Sequence, residues 1–159
     1  MNLIRLNVLS VVHLTKLILK DMLIFGQGKI LFTSSVAAFM PGPYESVYSA
    51  SKAFVQSFAE ALHEENKDKG IVITVLQPGP TETNFFHRAG MDDTKVGESK
   101  KADPADVAEE GFNALMKGEE NHIAGFKNRI QANVAKVMPQ SVAAKMHKGM
   151  TLPNSTADM

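Results

Sequence analysis

Residues 29–33 read Lys-Ile-Leu-Phe-Thr, and residues 71–76 read Ile-Val-Ile-Thr-Val-Leu. Both runs are short, rich in apolar or β-branched residues, and followed by turn-forming sequence. This pattern is typical of parallel strands that are covered on both faces. A helical pattern lies between the two runs, as a parallel connection requires. The order helix, strand, helix, strand therefore predicts an α/β fold with a parallel sheet.

Helical periodicity precedes each of the two predicted strands. From Leu3 to about Phe25, apolar residues recur at helical spacing, which predicts a long helix that buries its apolar residues. A second helix begins near Ser46 and ends before Gly70. Its apolar residues recur at positions i, i+3, i+4 and i+7, namely Val55, Phe58, Ala59 and Leu62.

The sequence after the second strand predicts a loop, a capped helix and a third strand. Residues 81–102 are polar and aperiodic, which favours a mobile surface loop. Asp103 is a predicted N-cap with Pro104 at the first helical position, and Gly118 ends that helix. Residues 122–125 are a candidate third strand, and one or two short helices follow.

Length and composition limit the domain organisation and the classes of partner. With 159 residues and 44% apolar content, we expect one domain over residues 1–150 and a flexible tail over residues 151–159. The 17 basic and 17 acidic residues cancel, so we expect neither a nucleic-acid nor a membrane partner. The chain has no cysteine, and charges interrupt its apolar first segment, so we expect a cytoplasmic protein without a membrane span.

Tyr48 and Lys52 are the first candidate site residues. Positions i and i+4 share one helix face, which places the phenol beside the ammonium. A nearby ammonium favours phenolate, so we expect Lys52 to lower the pKa of Tyr48 toward the range of a general acid or base. The spacing alone is a weak signal, because a tyrosine at the edge of a core beside a snorkelling lysine gives the same pattern.

Polar residues at the ends of both predicted strands strengthen this hypothesis. Ser35 follows the first strand and precedes Tyr48 by 13 positions, while Pro78, Gly79 and Pro80 follow the second strand. The carboxyl ends of parallel strands share one edge of the sheet, where ligands bind. The ordinary alternatives are that Ser35 caps a chain reversal and that the proline–glycine segment only ends a strand.

Three segments in this order resemble the short-chain dehydrogenase/reductase family. They are I-L-F-T-S-S-V-A-A at 30–38, Y-S-A-S-K at 48–52 and Q-P-G-P-T-E-T at 77–83, and the resemblance spans about residues 2–126. The resemblance implies a partial Rossmann-like, doubly wound parallel sheet of about three C-terminal strands with flanking helices, with the strand at Ile30 as an unpaired edge. It also implies an oxidoreductase that uses NAD or NADP to transfer hydride to or from a small-molecule carbonyl or alcohol substrate.

The same resemblance implies a role for each candidate residue. Ser35 would stabilise the substrate oxygen, Tyr48 would exchange its proton, and Lys52 would lower the tyrosine pKa and hold the nicotinamide ribose. Asn7, within Arg-Leu-Asn-Val at 5–8, matches the family's fourth catalytic residue, which supports a water in a proton relay. The residues implied in cofactor binding are Tyr48, Lys52, Pro78, Gly79, Thr81 and Thr83.

The sequence departs from the family in its cofactor loop. The family has a strand followed by T-G-x-x-x-G-x-G, whose backbone holds the pyrophosphate, and Gly26-Gln27-Gly28 cannot replace it because it precedes a strand. We therefore expect a truncated domain with weak affinity for NAD or NADP and no activity on its own. An alternative is a non-catalytic remnant that acts as an interaction module. The helices near 3–25 and 46–68 commonly form the family's dimer interface, so we expect a homo-oligomer.

Other classes of site have weaker support. An isomerase of the family's extended branch would share the tyrosine–lysine chemistry. Ser49 to Lys52 also satisfies the S-x-x-K pattern of acylating serine enzymes, but the S-D-N and K-T-G partners are missing. The histidines lack metal-ligand spacing, so we expect no metal site and interpret all five as solvated or capping residues: His13, His63, His87, His122 and His147.

Overall fold

A computed structural model describes residues 2–157 of the chain. Its first half contains helix α1 (Asn2–Ile4), a π-helical turn (Arg5–Leu9), helix α2 (Ser10–Phe25), strand β1 (Gly28–Thr33), a 3₁₀ turn (Val36–Phe39), helix α3 (Ser46–Asn66) and strand β2 (Ile71–Gln77). Its second half contains α4 (Phe85–Arg88), α5 (Lys95–Glu98), α6 (Pro104–Lys117), β3 (Asn121–Ile123), α7 (Phe126–Val137), α8 (Gln140–Thr151) and α9 (Asn154–Ala157).

The three strands form one parallel sheet in the order β1-β2-β3. The register of the first pair runs from Gly28 opposite Ile71 to Thr33 opposite Leu76. The predicted α/β class and parallel layout are therefore confirmed. Within residues 2–157, β1 pairs only with β2, so it lies at an edge of the sheet, as the resemblance implies.

Helices cover both faces of the sheet, which explains the continuous apolar sequence of β2. On one face, Val55 and Ala59 of α3 pack with Ile73 and Val75 of β2 and with Phe32 of β1. The other face holds a smaller cluster formed by Leu76, Val107 and Ala124. Since residues of β2 point into both clusters, an alternating apolar and polar pattern would place polar side chains in one of them.

The prediction that the first helix buries its apolar residues is wrong. Only Thr15 is buried in α2, whereas Ile24 and Phe25 are 72% and 77% exposed. Three apolar residues of this helix are partly buried and pack against the core on the sheet: Val11, Leu19 and Met22. Many of its other apolar residues are exposed. Among the helices of residues 2–157, none has an apolar run long enough to cross a lipid bilayer.

The predicted ends of α6 are confirmed. The Asp103 carboxylate accepts a hydrogen bond from the Ala105 amide at 2.7 Å, and Gly118 ends the helix with a φ of 76°. The segment 81–102 is more ordered than its aperiodic sequence predicts, because it contains α4 and α5 and buries Phe86. Its mobility stays a prediction.

The predicted tail makes contacts with the domain. Thr151 is buried at the end of α8, where its hydroxyl donates to the Pro43 carbonyl at 2.8 Å. The Asn154 amide donates to the Asp93 carbonyl at 2.9 Å, next to a bridge between Thr94 and Pro153. The flexibility of the tail stays a prediction, and residues 158–159 lie outside the described residues.

Replacing Gly70 by alanine is expected to destabilise the fold more than the same change at Gly118. Both glycines have left-handed backbones, with φ of +73° and +76°, so each alanine variant carries a conformational cost of about 1–2 kcal/mol. A β-carbon at Gly70 would also overlap the Gly26 carbonyl oxygen, whereas the space around Gly118 is open. Urea unfolding should show an additional loss of about 1 kcal/mol or more for Gly70→Ala. Equal losses would contradict the close backbone approach.

Candidate active site

Ser35 lies immediately beyond β1, at the carboxyl edge of the sheet. Its hydroxyl accepts a hydrogen bond from the Ala37 amide at 3.1 Å and caps the 3₁₀ turn. The same hydroxyl lies 3.5 Å from the Pro78 carbonyl oxygen, to which it can donate. Backbone pairing continues past the strands, since the Val36 amide donates to that carbonyl at 3.0 Å. The ends of β1 and β2 therefore meet at this edge, as predicted.

Tyr48 lies close enough to Ser35 for the serine hydroxyl to act on its phenol. The tyrosine is half-buried, with its ring 5.2 Å from the ring of Phe85. Burial raises the pKa of the Tyr48 phenol above its ordinary value of 10.0; the Ser35 hydroxyl lowers it, and the charge of Glu45 raises it further. The phenol is therefore held in its protonated form at neutral pH.

Lys52 lies one helical turn beyond Tyr48, with its Nζ 5.8 Å from the tyrosine ring centroid. The Lys52 ammonium donates to the Thr33 carbonyl at 3.0 Å, and burial lowers its pKa. The expected lowering of the tyrosine pKa by Lys52 is not found. Desolvation of the phenol is the largest influence, and the ammonium lies near the ring and against a strand carbonyl.

The side-chain hydrogen bond of Asn7 goes to Ser51 and not to the phenol of Tyr48. Asn7 lies in the π-helical turn, where its amide nitrogen donates to the Ser51 hydroxyl at 3.0 Å. That hydroxyl donates in turn to the Tyr48 carbonyl at 2.7 Å. Asn7 therefore connects the first helical segment to the backbone of α3, and its role in a proton relay stays a prediction.

The segment after β2 has several of its polar groups engaged within the chain. Gly79 packs so closely against the Asn128 side chain that an added β-carbon would overlap it. The Thr81 hydroxyl donates to the Gly79 carbonyl at 2.9 Å, and the exposed Thr83 hydroxyl accepts from the Phe85 amide at 3.2 Å. The structure therefore brings Ser35, Tyr48, Lys52 and Pro78 together, while Thr81 and Thr83 stabilise the local turn.

The contact between Glu45 and His147 is not predicted by the sequence. The His147 Nε2 lies 2.8 Å from the Glu45 carboxylate, and the two side chains are only 9% and 12% exposed. The interpretation of His147 as a solvated or capping residue is therefore wrong. Ser49 also donates to this carboxylate, at 3.2 Å. The pair joins α8 to the start of α3, and no local pattern marks it because the partners are distant in sequence.

A cavity of about 310 Å³ lies beside Tyr48. Its walls are mainly apolar and include Leu3, Val47, Phe85 and Met91. Glu45 also lines this cavity, but its carboxylate is already bonded to His147 and Ser49. The space next to the phenol is therefore suited to an uncharged, apolar molecule.

Comparison with known proteins identifies the family. The family model described as "short chain dehydrogenase" matches residues 1–94, which include Ser35, Tyr48 and Lys52. The chain belongs to the short-chain dehydrogenase family. A 17-beta-hydroxysteroid dehydrogenase type 3 of Mus musculus is 54% identical over 77 residues, 48% of this chain and 25% of that protein. A very-long-chain 3-oxoacyl-CoA reductase of the same organism is 46% identical over 76 residues, 48% of this chain and 24% of that protein.

Solved structures of short-chain dehydrogenases support the fold. The structure of a 7beta-hydroxysteroid dehydrogenase aligns with a TM-score of 0.77 at 24% identity, covering 91% of this chain and 56% of that one. A short-chain dehydrogenase from Sphingobium yanoikuyae in complex with NADPH aligns with a TM-score of 0.71 at 22% identity, covering 87% and 56%. This chain therefore spans about a quarter of the curated relatives and just over half of the structural ones.

Two substitutions should shift the Tyr48 pKa in opposite directions. Glu45→Gln removes a negative charge that disfavours phenolate, so the pKa is expected to fall. Ser35→Ala removes the hydroxyl that lowers the Tyr48 pKa, so the pKa is expected to rise. The chain has two tyrosines and no tryptophan, so ultraviolet titration in a Tyr44→Phe background reports Tyr48 alone.

Glu64→Gln is the matched control for the Glu45 substitution. Glu64 is also in α3, but it is exposed and paired with Lys67 at 2.6 Å. Its replacement should leave the Tyr48 titration unchanged. A shift in the same direction from Glu45→Gln and Ser35→Ala would show that the two groups do not act on the phenol as described.

Proposed function

We propose that this chain carries the proton-transfer site of an NAD(P)-dependent oxidoreductase that acts on an apolar carbonyl or alcohol. The observation that carries the proposal is the placement of Ser35 at the carboxyl edge of the sheet, near a half-buried Tyr48 that lines an apolar cavity. In this proposal Tyr48 is the general acid or base, and the Ser35 hydroxyl orients the substrate oxygen toward it.

The protonation state of Tyr48 favours the reductive direction. Because burial raises its pKa, the phenol carries its proton at neutral pH and can donate it to a carbonyl oxygen as negative charge develops there. With the protonated phenol as the active form, reduction is retained at neutral pH and lost as the pH rises through the raised pKa of Tyr48. Lys52 is proposed to supply positive charge at the same edge.

The nicotinamide cofactor would be held by Tyr48, Lys52 and the segment from Pro78 to Thr83. A half-buried phenol and ammonium fit the hydroxyls of a ribose, and both are present at this edge. When bound, the cofactor supplies the hydride. The hydroxyls of Thr81 and Thr83 bond within the chain, and Asn128 covers Gly79. The contacts proposed here are therefore with the nicotinamide and its ribose, and no residue is assigned to the pyrophosphate or the adenosine.

An apolar substrate is supported by the cavity and by the names of two relatives. The names of those proteins refer to a hydroxysteroid and to a very-long-chain oxoacyl thioester, both of which have large apolar portions. The side chains of Val47, Phe85 and Met91 provide apolar contact area beside Tyr48. We therefore propose a bulky apolar ketone or its alcohol rather than a small polar metabolite.

A second candidate function is that of an interaction module that self-associates. The exposed apolar residues of the π-helical turn and of α2 favour it, since Leu6 and Phe25 are 70% and 77% exposed. Self-association would use the helices near 3–25 and 46–68 and would bury these residues. We propose a cytoplasmic location for either function. The chain has no cysteine, so it forms no disulfide that would require an oxidising compartment.

Tyr48→Phe is expected to lower turnover at least about 100-fold, because it removes the proton donor and keeps the ring. The assay would use this chain joined to the glycine-rich half of a short-chain dehydrogenase, with an apolar ketone and NADPH. Glu64→Gln is the control, since Glu64 is exposed on the same helix and does not line the cavity, so its replacement should leave turnover within about threefold. Retained activity in Tyr48→Phe would exclude the tyrosine as the proton donor.

The 159 residues alone are expected to bind NADH or NADPH no more tightly than about 1 mM and to show no turnover. No glycine-rich turn follows a strand in this sequence, so the pyrophosphate contacts that position the nicotinamide are missing from it. Calorimetric titration would measure the affinity, and sedimentation would measure self-association. Micromolar affinity in a monomer would contradict both expectations.

A further inference from the structure

The charges of this chain are segregated along the sequence, although they sum to zero. Residues 1–120 contain 12 lysines and arginines against 16 aspartates and glutamates. Residues 121–157 contain no carboxylate side chain. The five cations of this second segment all lie in α7 and α8: Lys127, Arg129, Lys136, Lys145 and Lys148.

Helix α7 carries an exposed apolar stripe. The stripe is formed by Phe126, Ile130, Val134 and Val137, all of which are exposed, with Phe126 at 72% and Val137 at 84%. Their spacing of four, four and three residues places them within one face of the helix. Ala132 and Ala135 are buried and lie on the opposite face, so the stripe points away from the domain.

Cations flank this stripe on both sides. At 100° per residue, Lys127 lies beyond one edge of the stripe, and Arg129 and Lys136 lie beyond the other. All three residues are exposed. Long basic side chains beside an apolar stripe can extend their charges to a polar boundary while their methylene groups stay in contact with apolar material.

Helix α8 has the same organisation. Val142, Met146 and Met150 are exposed on one face, whereas Ala143, His147 and Thr151 are buried on the adjoining face. At 100° per residue, Lys145 lies beside the apolar face on the side away from the buried residues, whereas Lys148 lies farther round the helix, nearer to the buried Thr151. Two consecutive helices, separated only by Met138 and Pro139, therefore each present apolar side chains beside cations.

We propose that α7 and α8 bind the surface of an anionic lipid bilayer. An amphipathic helix that lies in the interface buries its apolar face among the acyl chains and places its lysines at the anionic headgroups. This proposal differs from the expectation of no membrane partner, which rested on the summed charge. It is independent of the proposed catalytic site, because none of its surface residues borders the cavity beside Tyr48.

Other occupants fit this surface less well. A second copy bound through the same face would bring Lys127, Arg129 and Lys145 of one copy against the same cations of the other, which disfavours self-association there. A nucleic acid would satisfy the cations, but it would leave the aliphatic stripe between them unpaired. A bilayer with anionic headgroups satisfies both features at once.

The test is co-sedimentation of the full chain with vesicles of two compositions. Vesicles of phosphatidylcholine with about one third phosphatidylglycerol should bind the chain, and pure phosphatidylcholine vesicles should bind it at least about tenfold more weakly. Added salt should weaken binding to the anionic vesicles. The double variant Lys127→Glu, Lys145→Glu should lose about tenfold or more in affinity, because each change reverses a charge at the surface.

Two further variants separate this surface from the other exposed apolar helix. The double variant Ile130→Gln, Val134→Gln should also weaken binding, since it removes the centre of the α7 stripe. The matched control is the double variant Lys16→Glu, Lys20→Glu in α2, a helix that also combines cations with exposed apolar residues. This variant should bind the anionic vesicles within about twofold of the unchanged chain. Circular dichroism would confirm that each variant keeps its helices.

Three results would overturn the proposal. Equal binding to both vesicle compositions would show that the cations do not contribute. Loss of binding in the α2 control alone would assign the membrane contact to that helix. A concentration-dependent dimer in solution that is abolished by Ile130→Gln, Val134→Gln would show that a second copy covers the stripe.

Discussion

The parallel pairing of β1 with β2 is the constraint on which the candidate site depends. The register that places Thr33 opposite Leu76 continues beyond the strands, because the Ser34 amide donates to the Leu76 carbonyl at 2.8 Å. This continuation brings Ser35 against the Pro78 carbonyl. The Ser34 hydroxyl also donates to the carbonyl of Lys52 at 2.8 Å, which fixes the second turn of α3 over the end of the strand. A slip of one residue would reverse the direction of the serine side chains and separate Ser35 from Tyr48.

At Tyr48 the environment, rather than one neighbouring charge, determines the protonation state. Removal of the phenol from water disfavours phenolate, and the Glu45 carboxylate adds to this effect. The Ser35 hydroxyl acts in the opposite direction and does not overcome this effect. The Y-x-x-x-K spacing therefore places Lys52 beside the Tyr48 ring, as expected. The pKa of Tyr48 is nevertheless determined mainly by the burial of its phenol. A site of this kind is tuned by groups from separate elements, which include α8 through its contact with Glu45.

Much of the fold and part of the site could be predicted from the sequence, because local patterns specify them. The β-branched run at 71–76, the Asp103 cap and the convergence of Ser35 with Tyr48 follow from residue type, spacing and the geometry of parallel sheets. Burial could not be predicted in the same way. The apolar spacing of α2 does not reveal what packs on each of its faces, and the pairing of His147 with Glu45 joins two segments that no short-range rule connects.

The contact between Glu45 and His147 has a consequence for the order of events during synthesis. His147 follows Glu45 by 102 positions (147 minus 45), so at about 5–20 residues per second it leaves the ribosome roughly 5–20 s later. β1 precedes Glu45, and α3 and β2 are complete by Gln77, which is 70 positions before His147 (147 minus 77). The strands can therefore pair while the Glu45 carboxylate still lacks the His147 contact.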